Sequence, residues 1–168
     1  MEKYYISYNQ IHNIMKDLAE QIIESGFEPD YIVAIGTGGF IPARMIKTFI
    51  NRPILTVGIA YYDLNDNIMD KPNIIQWIDD VDNKLEGKKI LLVDEVDDSR
   101  ATIGFCLERL LTHKPEEIAV TVVHNKKKEK RGQIPAEIKK YFAGETMDDK
   151  WICYPWDADE IYDHDKNC

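Results

Sequence analysis

Lys89-Ile90-Leu91-Leu92-Val93-Asp94-Glu95-Val96-Asp97-Asp98-Ser99-Arg100-Ala101-Thr102 reads as an unbroken apolar strand that runs into acidic residues and a hydroxyl-flanked loop. The segment Ile103 to Leu111 follows with helical character. Acidic residues just past the carboxyl end of a buried strand sit where open α/β sheets bind ligands, and the next helix offers unpaired backbone amides to an anion. One site of this kind can hold sugar hydroxyls, a cation and a phosphate.

Outward from this stretch, the chain alternates strands and helices. Ser7 with Gln10 three residues on forms a capping-box pattern, and Ile11, Ile14, Met15, Leu18, Ala19, Ile22 and Ile23 make a helical stripe closing near Gly26. Tyr31 to Ile35 is a short apolar strand broken by Gly36-Thr37-Gly38-Gly39, and Ile41 to Ile50 is a helix with Pro42 tolerated in its first turn. Pro53 to Ala60 reads as a strand, Asp63 to Asn73 as a mobile polar loop, and Ile74 to Val81 as a short helix or turn. Ile118 to Val123 is a strand buried on both faces by its β-branched composition. The expected class is α/β, with a mostly parallel central sheet flanked by helices. From Tyr141 the aromatic and acidic composition suggests a small lobe rather than another strand-helix unit.

Composition narrows the function classes. The 168 residues, 44% apolar and 30% charged, suit one soluble globular domain. A formal net charge of -9 argues against an extended nucleic-acid or anionic-membrane surface. Cys106, Cys153 and Cys168 lack metal-ligand spacing; Cys106 is read as a buried helix residue. No signal-peptide pattern opens the sequence and no window spans a bilayer, so a reducing cytoplasm is expected. The basic run Lys126 to Arg131 reads mainly as a solvated loop.

Gly36 to Gly39 lacks the lysine and spacing of a P-loop and only partly matches a dinucleotide fingerprint. Coupled with Asp94 to Thr102, it supplies a second anion-accepting loop at the same sheet edge. The segment Val93 to Thr102 resembles the phosphoribosyl-pyrophosphate (PRPP) signature of the type I phosphoribosyltransferases: apolar strand, two acids, two spacers, an acid, then a hydroxyl-rich loop. Tyr31 to Arg44 resembles the pyrophosphate loop and following helix of the purine branch. Trp151-Ile152-Cys153-Tyr154-Pro155-Trp156-Asp157 is similar to the base-binding hood segment of xanthine-guanine and fungal-type hypoxanthine-guanine enzymes.

The resemblance implies one domain over residues 1–168, with a core at about 30–125 and a hood from the N-terminal segment and about 141–168. It assigns Asp94 and Glu95 to the ribose hydroxyls and Mg2+, Asp98 to the proton of the purine imidazole ring, and Ser99, Arg100, Ala101 and Thr102 to the 5′-phosphate. Thr37, Gly38 and Gly39 would take pyrophosphate, and Tyr62 would cover the reacting centre. Trp151 would stack on the purine, Ile152 and Asp157 would read its edge, and Asp157 would meet a second Mg2+. Lys126 is the choice for the six-position carbonyl, with Asn125 and Lys127 also permitted by alignment.

Two positions depart from the family pattern. Arg100 stands where many relatives carry glycine, a conflict if that residue needs positive φ. Thr37 replaces a lysine or arginine of several purine enzymes, and a cis peptide is implied around Gly36 and Thr37. The implied reaction joins PRPP and a 6-oxopurine (hypoxanthine, guanine or xanthine) into the nucleoside monophosphate with release of pyrophosphate. The loop Asp63 to Asn73 would close to exclude water, and a homodimer or homotetramer is expected. The alternatives are a non-catalytic PRPP-sensing regulator on the same fold and a generic nucleotide-binding module.

Overall fold

The structure, a computed structural model, describes residues 1–65 and 67–168; Asp66, within the expected mobile loop, lies outside the described residues. After a short strand β1 (Lys3–Tyr5), helix α1 (Tyr8–Glu24) starts at the expected capping box. The Gln10 amide donates to Ser7 Oγ at 3.2 Å, and the Ser7 amide donates to Gln10 Oε1 at 2.8 Å. The helix buries Ile11, Met15, Leu18, Ala19 and Ile22, while Ile23, counted in the stripe, is exposed.

Strand β2 (Tyr31–Gly36), helix α2 (Phe40–Phe49), strand β3 (Ile54–Tyr62), strand β4 (Ile68–Gln76), helix α3 (Val81–Leu85) and strand β5 (Lys89–Asp97) follow. Helix α4 (Ala101–Leu111), strand β6 (Glu117–Lys127), strand β7 (Lys140–Asp148), strand β8 (Trp151–Cys153), a 3-10 turn over Pro155–Asp157 and helix α5 (Ile161–Asp165) complete the order. Six strands form one sheet in the order β4-β3-β2-β5-β6-β7, all parallel except β4. Strands β1 and β8 pair in a separate two-stranded sheet.

Alternation along the strands builds two cores. Ile32, Ala34, Leu91, Val93, Ala119 and Val123 pack on one face with α1 and α2. Val33, Ile35, Ile90, Leu92, Ile118, Val120 and Val122 pack on the other with α4. Because β3 and β5 flank β2 on opposite sides, the chain reverses direction across the sheet between β2 and β5. The crevice at their carboxyl ends is the place where such sheets bind ligands.

Two expectations are corrected. Residues 68–76 form β4, an antiparallel partner of β3, instead of a polar loop leading into a short helix or turn. This edge strand is mostly solvent-facing, so it lacks the apolar alternation that betrays a strand, and Pro72 falls where the register with β3 is irregular. Residues 140–148 are the far edge strand β7 of the large sheet, although the chain from about 141 was expected in the hood. Tyr141 and Ala143 pack on one core and Phe142 on the other, but only partly buried, which blurs the pattern.

Candidate active site

The two loops expected to bind anions lie side by side at the β2/β5 switch point. A Cβ on Gly38 would come within 2.1 Å of the Glu95 carboxyl carbon, so the glycine loop and the acidic pair are in direct contact. A Cβ on Gly39 would come within 2.6 Å of the Ile35 and Val93 carbonyl oxygens, which fixes the start of α2 against both central strands. The Gly36–Thr37 peptide is cis, as the resemblance implied.

A cavity of about 210 Å³ is lined by Tyr62, Asp94, Glu95, Asp98, Ser99, Arg100, Ala101 and Thr102. Every residue assigned by resemblance to the ribose and 5′-phosphate therefore faces one space. Ala101, Thr102 and Ile103, the first residues of α4, line it, and helix geometry leaves the amides of such a first turn without intrahelical partners. The Ser99 carbonyl accepts hydrogen bonds from the Arg131 and Gly132 amides at 2.9 and 3.0 Å, so the turn rests on the chain beyond β6.

Asp94 is buried and accepts a hydrogen bond from the Glu95 amide at 2.9 Å. Burial, and then the neighbouring Glu95 charge, pushes its pKa well above the ordinary carboxylate range. The stability contributed by a group with a raised folded-state pKa is complete below its unfolded pKa and is lost as pH rises through the folded one. Asp94→Asn mimics the protonated form, so its advantage should grow with pH. In thermal denaturation without divalent cations the variant is expected to melt about 3 °C higher than wild type near pH 8 and at nearly the same temperature near pH 5. A lower melting temperature at the higher pH would show that Asp94 is a net stabilising anion.

Lys126 lies next to Asp98. Its Nζ is 3.4 Å from Asp98 Oδ1 and 3.4 Å from Asp149 Oδ1, and the side chain is largely buried. Lys127 points out instead, lining another cavity with Tyr4 and Glu145. Lys128 Nζ donates to Asp98 Oδ1 at 3.0 Å and lies 3.0 Å from Asp149 Oδ2; these two partners raise its pKa. The basic run is thus not simply a solvated loop. Lys126, Lys128 and Lys130 all reach acidic residues of the site, although Lys128, like Lys127 and Glu129, remains exposed. Period-two spacing at the end of a strand was the available signal for them.

The Arg100 conflict takes an unexpected form. Its φ is 66°, in the left-handed region, at a cost of about 1–2 kcal/mol for a residue with a Cβ. Its guanidinium turns back to Asp97, whose Oδ2 accepts from Nε at 3.0 Å and from Nη2 at 2.7 Å. Asp97, treated in the sequence as a spacer, is fully buried.

Trp151, Ile152 and Asp157 line a different cavity of about 640 Å³, which shares no lining residue with that of Asp94 to Thr102. Trp151 is 60% exposed, so a flat ligand can still reach its ring. The link between the two regions runs through Asp149, two residues before Trp151, which meets Lys126 and Lys128. A second link is buried. Tyr154 donates to the Glu95 carbonyl at 3.1 Å and lies 2.8 Å from His124 Nδ1, so the imidazole supplies that proton. Burial lowers the His124 pKa against the pull of Glu145. Trp156 stacks on Tyr154 with ring centroids 4.6 Å apart, in keeping with a packing role.

Fold and site together define an α/β protein whose carboxylate-lined cavity sits at the switch point of a mostly parallel sheet. A family model described as the phosphoribosyl transferase domain matches residues 7–160, and the chain belongs to that family. It is 38% identical to xanthine phosphoribosyltransferase 1 of Saccharomyces cerevisiae, over 97% of this chain and 93% of that protein. It is 40% identical to the hypoxanthine-guanine phosphoribosyltransferase of Schizosaccharomyces pombe, with the same coverage of 97% and 93%. A crystal structure of a hypothetical protein from Neisseria gonorrhoeae with bound ppGpp superposes with a TM-score of 0.91 at 46% identity, covering 98% of this chain and 94% of that one.

Proposed function

We propose that the protein is a purine salvage enzyme that transfers the 5-phosphoribosyl group from PRPP to a 6-oxopurine, giving the nucleoside 5′-monophosphate and pyrophosphate. The observation that carries this reading is the single cavity shared by Asp94, Glu95, Asp98 and the Ser99 to Thr102 turn, with Lys126 beside Asp98. Asp94 and Glu95 hold the ribose hydroxyls, the Ser99 to Thr102 amides and hydroxyls hold the 5′-phosphate, and Thr37, Gly38 and Gly39 hold pyrophosphate. As the purine nitrogen bonds to the anomeric carbon and the bond to pyrophosphate breaks, Asp98 accepts the proton shed by the imidazole ring. Lys128 must release Asp98 for that carboxylate to reach the base. Lys126 donates to the six-position carbonyl, Trp151 stacks on the ring, and Ile152 and Asp157 read its edge. Tyr62 and the 63–73 segment close over the reacting centre to exclude water.

Mg2+ fits this site. Asp94 and Glu95 supply hard oxygens, and the repulsion between these neighbouring carboxylates is what a bound cation would relieve. Among the described residues there is no cluster of three or more metal-ligating side chains. Two carboxylates completed by donor oxygens and water match the usual way magnesium is held. Bound there, Mg2+ would neutralise charge on the departing pyrophosphate. Asp157 is proposed as a contact for a second ion.

The names of the relatives support hypoxanthine, guanine and xanthine as acceptors, and a guanosine nucleotide in the Neisseria structure supports guanine among them. The chain is proposed to act as one unit over residues 1–168, its hood formed by the N-terminal segment and the residues after β7, in a cytoplasmic homodimer or homotetramer. No helix among the described residues is long and apolar enough to cross a membrane. With PRPP, Mg2+ and each of hypoxanthine, guanine, xanthine and adenine, nucleotide is expected from at least one 6-oxopurine. Adenine should react at least about 10²-fold more slowly, because it presents an amino group where Lys126 needs an acceptor. Adenine as the preferred acceptor would overturn the assignment of Lys126.

A further inference from the structure

Beneath the Asp98 to Thr102 turn lies a set of charges that the proposed reaction does not use. Asp97 is fully buried, and its Oδ2 collects three hydrogen bonds: two from Arg100 and one from the Tyr141 hydroxyl at 2.7 Å. The Arg100 guanidinium also lies over the Tyr141 ring, 5.6 Å from its centroid. Lys130 Nζ donates to the Asp97 and Asp98 carbonyls at 2.7 and 2.8 Å and stands 3.4 Å from Asp97 Oδ1. Burial, then the hydrogen bond to Asp97, raises the Tyr141 pKa, so its hydroxyl remains a donor. The chain beyond β6 closes tightly on the turn: a Cβ on Gly132 would come within 2.1 Å of the Arg100 carbonyl oxygen.

A buried carboxylate is retained only where its partners offset the loss of water, and breaking such a set leaves an uncompensated charge. A left-handed residue with a Cβ likewise persists only where its surroundings hold it. Both conditions meet at Arg100. Its side chain is engaged below the turn, while its backbone forms the step into α4, whose first residues line the cavity.

Resting on the proposed phosphoribosyl transfer, we propose that Asp97, Arg100, Tyr141 and Lys130 are positioning residues that hold the turn in its phosphate-accepting shape before the donor arrives. Arg100 then serves the 5′-phosphate through the backbone it fixes, and its guanidinium stays on Asp97. An arginine that instead reached for the phosphate would have to withdraw two of the three hydrogen bonds on Oδ2 of a buried anion.

The two roles separate in the contribution of the 5′-phosphate to binding, read by calorimetry as the ratio of GMP to guanosine affinity. Wild type, Arg100→Met, Asp97→Asn, the double variant and Tyr141→Phe are compared, with melting temperatures alongside. Arg100→Met and Asp97→Asn should each lower the ratio about tenfold while guanosine affinity holds, and the double variant should fall no further than either single one. Tyr141→Phe, which keeps the ring beneath the guanidinium, should lower it by a smaller factor and keeps the test open if a charge variant fails to fold. Asp97→Asn that preserves or increases the ratio would mean that a freed Arg100 contacts phosphate directly, and the inference would fail. Lower melting temperatures with an unchanged ratio would reduce the set to scaffold and also overturn it. Equal affinity of the wild type for GMP and guanosine would overturn the transferase reading, and this inference with it.

Discussion

Asp98→Asn is expected to lower kcat by about 10²–10⁴-fold while leaving the KM for PRPP nearly unchanged. Asparagine keeps the shape and the carbonyl oxygen that Lys126 and Lys128 approach, but it cannot accept the proton released when the imidazole nitrogen bonds to the sugar. The side chain is 46% exposed, and both lysines retain Asp149, so stability should shift by no more than about 0.5 kcal/mol. Steady-state kinetics with PRPP varied at saturating base separates the two effects. Equal losses in kcat and donor affinity would make Asp98 a binding residue.

Gly38→Ala should be nearly as damaging to activity while sparing the fold. Its new Cβ would sit 2.1–2.3 Å from the Glu95 carboxyl atoms, the far end of a flexible side chain that can move aside without disturbing the backbone. The displaced carboxylate is the one proposed for ribose and Mg2+, and a misplacement near 1 Å can cost about 10²-fold. A kcat/KM for PRPP reduced by about that factor, with a melting temperature within about 2 °C of wild type, is therefore expected. Gly39→Ala differs in kind, because its Cβ meets the Ile35 and Val93 carbonyls, which cannot retreat without shifting the central strands. If Gly38→Ala were fully active, Glu95 would have no part in donor binding.

Legibility in the sequence followed burial. Strands β2, β5 and β6 are covered on both faces, so their apolar runs were plain, and the Ser7–Gln10 box marked the start of α1. β4 and β7 lie at the sheet edges, half in solvent, and their patterns were too weak to distinguish from loop or lobe. Within the site, Asp94, Glu95, Asp98 and the hydroxyl-rich turn were readable because their spacing follows directly from the end of one strand. Tyr141, Lys130 and Asp149 were not, because each acts through a partner distant in sequence, and Asp97 was passed over because its burial depends on them; Tyr141 reaches Asp97 across 44 positions. Arg100 was flagged for the correct backbone reason, yet its side-chain partner could not be seen from the sequence.

The most direct test of the central claim is the stoichiometry of a single reaction. Guanine, PRPP and Mg2+ incubated with the protein should give GMP and pyrophosphate in equal amounts, and neither should form with Asp98→Asn on the same timescale. Pyrophosphate released without GMP would point to hydrolysis of the donor, and tight PRPP binding with no product from any 6-oxopurine would contradict the enzyme altogether.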